Sequence, residues 1–68
     1  MTTEAFTIDE FCRAHGISRA TYYNLKRRGY APREMHLGEQ TIRISRESAA
    51  EWRREREAET ASRQPEAA

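Results

Sequence analysis

The chain has 68 residues, 34% charged and 37% apolar, with a single cysteine. A chain this short buries only about 60% of its unfolded surface, so it makes one small domain with little volume for a deep substrate pocket. The net charge of +1 is unevenly placed: residues 1–10 carry Glu4, Asp9 and Glu10 (−3), residues 11–46 carry eight Arg/Lys against Glu34 and Glu39 (+6), and residues 47–68 carry four Arg against six Glu (−2).

That basic middle predicts a polyanion as partner. No run approaches the about 20 apolar residues of a membrane span, so no membrane association is expected. The opening Met1–Ala5 lacks the basic and apolar stretches of a signal peptide. Cys12 alone makes neither an internal disulfide nor a cysteine-rich zinc site. A cytoplasmic protein is expected.

Thr7, with Glu10 three residues on, forms a capping box. Asp9 and Glu10 suit the dipole of the helix that follows, and Phe6 before the cap can staple onto Phe11. Ile8, Phe11, Cys12 and His15 recur at helical spacing. Gly16 then offers a left-handed stop, so a first helix is predicted over 8–15. Ser18 is a second N-cap. A second helix is predicted over 19–28, with Tyr22 and Leu25 inward and Gly29 and Pro32 beyond its end. Two short helices joined so closely at a glycine make a helix-turn-helix arrangement.

From Met35 the period becomes two. Met35 and Leu37 alternate with His36, and Ile42 and Ile44 alternate with Thr41 and Arg43, on either side of Gly38 and Glu39. This predicts a β-hairpin. Ser45 is a third N-cap, opening a third helix from about Arg46 to Glu57 or a little further, whose apolar residues are Ala49, Ala50 and Trp52. The predicted fold is mainly α with a small β-hairpin, a helix-turn-helix domain over 1–58 with a flexible tail over 59–68. The core is expected from Phe11, Ile17, Tyr22 and Leu25, with Cys12 as a small buried hydrophobe and Trp52 as its lid.

With Tyr22 and Leu25 inward, the opposite face of the second helix presents Arg19, Ala20, Thr21, Tyr23, Asn24 and Arg27. Arg bonds guanine, and Asn bonds adenine, in bidentate fashion. Arg19 and Asn24 are therefore the expected base readers, with Thr21 and Ala20 beside them. Ser18 caps the helix and is also a candidate phosphate contact. Tyr23 is expected to rest its ring on the core edge and offer its hydroxyl to a phosphate. Lys26, Arg27 and Arg28 suit the helix C-terminus and neutralise phosphates. The hairpin adds Gln40, Thr41 and Arg43, aimed at a minor groove; pairing of Gln40 or Arg43 with Glu39 or Glu34 is the alternative.

The order of these pieces resembles the AlpA and excisionase group of small winged-helix proteins, related to the DNA-binding domain of MerR regulators. The resemblance covers about residues 6–56 and is carried by named positions. These are Phe6-Thr7, the turn from Gly16 to Thr21, Tyr23, Leu25, Gly29-Tyr30 with Pro32, Leu37-Gly38, Ile42 to Ile44, and Glu51-Trp52. Two positions depart from it: Lys26 stands where members often carry an apolar residue, and Pro32 lies farther from the first wing strand.

The resemblance implies that the hairpin is the wing of a winged helix-turn-helix, in a protein of bacterial or phage origin that binds double-stranded DNA. It implies a recombination directionality factor, which bends attachment-site DNA and biases a separate integrase towards excision. An AlpA-like transcriptional regulator uses the same domain on a promoter, and a protein-interaction module with an incidental basic face is the third reading. Head-to-tail self-association on DNA is expected, because so small a domain grips one half-site weakly. His15 and His36 lack metal-ligand spacing, and Ser18, His15 and Asp9 lack a nucleophile elbow. Neither metal, cofactor nor catalysis is expected.

Overall fold

The computed structural model describes residues 4–63. Its elements run β1 (Ala5–Phe6), α1 (Ile8–His15), α2 (Arg19–Arg27), β2 (Met35–His36), β3 (Ile42–Ser45) and α3 (Arg46–Arg63). Three helices and a three-stranded antiparallel sheet of order β1-β3-β2 make a small, mainly helical domain.

Local chemistry sets the helix ends. At α1, the Glu10 N–H donates to Thr7 Oγ1 at 3.0 Å and the Thr7 N–H donates to Glu10 Oε1 at 2.9 Å. Both halves of the capping box are formed. Beyond α1, Gly16 turns left-handed at φ 67°. The Ile17 N–H then reaches the Cys12 carbonyl at 2.9 Å, and the Gly16 N–H reaches that of Arg13 at 3.3 Å. This is a Schellman closure, which satisfies the orphan carbonyls of a last turn. The same closure ends α2, with Gly29 at φ 81° and the Tyr30 N–H on the Leu25 carbonyl at 2.8 Å. Ser45 accepts the Ser48 N–H at 2.9 Å, the expected third cap.

The sheet holds one strand more than the hairpin. β1 pairs with β3 through Ala5↔Ser45 and Phe6↔Ile44. The Arg46 N–H extends that ladder to the Glu4 carbonyl at 2.9 Å. β2 pairs with β3 through Met35↔Arg43 and His36↔Ile42. Opposed residues share a face, so His36 lies with Ile42 and Met35 lies with Arg43. Met35 and Leu37 are 38% and 63% exposed. Period two holds in both strands, but it marks the core only in β3.

The core takes Ile8, Phe11 and Cys12 from α1, Tyr22 from α2, Ile44 from β3 and Ala49 from α3. Phe11 stands at its centre, edge-on to Phe6 at 6.3 Å, Tyr22 at 5.8 Å and Trp52 at 5.1 Å. Trp52 closes the rim and donates its indole N–H to the Tyr30 carbonyl at 2.6 Å. Burial raises the Cys12 thiol above its ordinary range, as expected of a packing residue rather than a reactive one.

Two expectations are corrected. Leu25 is only partly buried and lies outside the core cluster, because α2 turns a different stripe inward, as described below. α3 continues to Arg63, so residues 59–63 are helical rather than tail; residues 64–68 lie outside the described residues. Glu59, at the start of the extension, pairs with Arg56 at 3.0 Å. Arg56 also lies 4.6 Å from the Tyr30 ring centroid.

Candidate nucleic-acid interface

The stripe that α2 turns towards the rest of the chain is Arg19, Tyr22, Tyr23 and Lys26, at spacing i, i+3, i+4, i+7. Tyr22 is fully buried and donates its hydroxyl to Glu34. Tyr23 is partly buried, edge-on to Tyr22 at 5.3 Å. Arg19 pairs with Asp9 of α1, and its guanidinium lies 5.7 Å from the Tyr23 ring centroid. Lys26 Nζ lies 3.0 Å from Glu34 Oε1. The stripe thus has an aromatic middle and a paired cation at each end. The Tyr23 ring rests on the core edge, as expected; Arg19 and Lys26, expected as DNA contacts, are each paired within the fold. Their ion-pair partners are ten and eight residues away in sequence, beyond any helical period.

The opposite face of α2 carries Ala20, Thr21, Asn24, Arg27 and Arg28, all exposed. Ser18 acts as the cap, its Oγ accepting the Thr21 N–H at 3.1 Å and donating to Thr21 Oγ1 at 3.0 Å. Arg27 donates to Asn24 Oδ1. A guanidinium accepts nothing, so this bond fixes which end of the amide faces Arg27 and leaves Nδ2 turned elsewhere. α2 carries no acidic residue in its first turn, unlike α1 with Asp9 and Glu10.

Gln40 and Thr41 are exposed in the connection between β2 and β3. Arg43 stands apart from these two, away from the hairpin tip. It lies within β3, partly buried, and donates to the Ile42 carbonyl at 2.9 Å rather than pairing with Glu39 or Glu34. The position one residue before Ile44, which is locked into the core, leaves it no freedom to move to the tip.

Glu34 joins these elements through partners other than Gln40 or Arg43. It receives Tyr22 and Lys26 from α2, and His36 Nε2 of β2 lies 3.4 Å away. Burial opposes its charge, but the bonds from Tyr22, Lys26 and His36 outweigh burial and hold the carboxyl below its ordinary range. Burial, and then the bond to Glu34, push the Tyr22 hydroxyl well above its own.

His15 is satisfied within the fold. Arg53 donates to its Nε2 at 2.9 Å, so the proton sits on Nδ1 and goes to the Phe11 carbonyl at 2.8 Å. Among the described residues no group of three or more His, Cys, Asp or Glu is placed to hold a metal ion. No helix among them is long and apolar enough to cross a membrane. No protein-family model, curated protein or solved structure matches the chain.

Proposed function

We propose that this protein is a winged helix-turn-helix domain that binds double-stranded DNA by sequence. In this reading α2 enters the major groove, and the β2–β3 hairpin is a wing on the minor groove or the backbone. The observation that carries the proposal is the two-sidedness of α2: one stripe anchored by aromatic packing and two ion pairs, the other face free and made of small, amide and cationic residues. Ala20 and Thr21 are small enough for the helix N-terminus to approach base edges. Asn24 suits adenine, and Arg27 and Arg28 suit phosphates.

As its task we propose recombination directionality: bending attachment-site DNA so that a partner integrase excises rather than integrates, without bond chemistry of its own. The resemblance in element order supports this, and so does Leu37. An aliphatic side chain 63% exposed beside the hairpin connection suits a wedge between base steps, which kinks a duplex. Head-to-tail contacts between copies on adjacent sites belong to the same proposal.

The test is selection of duplexes from a randomised library, then circular-permutation gel shifts on the selected site. A defined sequence and a sharp bend are expected. Failure to enrich any sequence would remove the DNA-reading proposal. A defined site left straight would instead favour a promoter-binding regulator.

A further inference from the structure

We infer that Asp9 and Tyr23 are positioning residues that hold the half-exposed Arg19 guanidinium at the N-terminal end of α2, ready for one guanine. The inference rests on the DNA-binding reading above. Arg19 is engaged on both terminal nitrogens: Nη1 donates to Asp9 Oδ1, and Nη2 donates to Tyr23 Oη at 3.4 Å. The Tyr23 ring lies beside the guanidinium, its centroid 5.7 Å away. Tyr23 is itself fixed, edge-on to the buried Tyr22 and packed on the core. Asp9 stands in the first turn of α1. Yet 56% of the Arg19 side chain is exposed.

An exposed arginine normally surrenders its rotamer freedom when it meets a partner. Here the two contacts already narrow that freedom in the free protein. Asp9 and Tyr23 take only part of the N–H fork, and the rest remains for O6 and N7 of guanine. Asp9 has a second effect through its charge. Paired with it, Arg19 offers little attraction to a passing phosphate, and the carboxylate itself repels the backbone. Asp9 therefore favours the one correct guanine and disfavours random DNA, so its removal changes the two affinities in opposite directions.

The experiment is the same library selection on wild type, Arg19→Ala, Asp9→Asn and Tyr23→Phe, with affinities measured on the selected duplex and on the random pool. Arg19→Ala is expected to erase the preference for one guanine. Asp9→Asn should weaken preference at that same position and raise affinity for the random pool. The selected-to-random ratio should fall by about tenfold, the order of one bidentate base contact. Tyr23→Phe, which keeps the ring, should give a smaller loss at the same position. A purely structural role for Asp9 would lower the melting temperature and leave the base preference intact; that outcome overturns the inference, as does an even loss over all positions. If wild type enriches a sequence and Arg19→Ala loses no guanine, the inference fails while DNA binding stands. If wild type enriches nothing, both fall.

Discussion

Asn24 and Arg27 share a hydrogen bond, yet on the proposed interface their jobs differ. Arg27→Ala should weaken binding to selected and random DNA alike and reduce the salt slope by about one. Asn24→Ala should cost about 1–3 kcal/mol on the selected duplex and little elsewhere. Fluorescence-anisotropy titrations across a salt series separate the two. Equal losses on both DNAs for Asn24→Ala would make it a backbone contact. The free face of α2 was legible because polarity within one helix is a local property: Ala20, Thr21, Asn24 and Arg27 were placed from their distance around the helix to Tyr22. Arg19 and Lys26 were legible as exposed, which they are, but not as paired. Asp9 and Glu34 reach them only through the tertiary fold, and a carboxylate near a helix start also reads as a dipole partner.

Among the elements, those fixed by neighbours in sequence were the readable ones. The Thr7 box, the Ser18 cap and the Gly16 stop each act within a few residues. β1 was not readable, because Ala5 and Phe6 are extended only through pairing with Ser45 and Ile44. α3 runs past its expected end, because an apolar-poor run gives no core signal although its Arg, Glu and Ala residues sustain a helix by propensity. The stop between α1 and α2 carries a direct test. A Cβ built on Gly16 meets nothing within 4 Å, and its φ is 67°, so Gly16→Ala adds backbone strain without a clash. It should destabilise by about 1 kcal/mol, read from urea unfolding. Gly16→Asn should recover part of that, since Asn tolerates the left-handed region. A loss for alanine as large as that of a core deletion such as Phe11→Ala, about 3–5 kcal/mol, would contradict an origin in strain alone.

Across the whole molecule, Glu34 ties α2 to the start of the hairpin. Its side chain is 8% exposed, and it faces Tyr22, Lys26 and His36. Glu34→Gln keeps the shape and removes the charge, and should cost about 2 kcal/mol, the scale of a hydrogen bond to a charged group. The pH dependence follows from the direction of the shift. The folded carboxyl ionises below its ordinary value of 4.5, so its contribution is fully present above pH 4.5. It is lost as pH falls through the lower folded value. Tyr22 has the opposite sense: its hydroxyl is raised from 10.0, so its contribution is complete below pH 10 and fades as pH climbs beyond it. Urea unfolding from about pH 7 down to about pH 3 should show wild type losing stability in the acid range, with Glu34→Gln flatter there. Tyr22→Phe should instead flatten the alkaline side. On DNA, loosening this clamp should change the bend more than the base preference, because Glu34 sets where the hairpin stands relative to α2 and touches none of the residues on its free face. An unchanged acid profile in Glu34→Gln would remove Glu34 from the clamp, and a lost base preference with an unchanged bend would assign it to the proposed reading role of α2 instead.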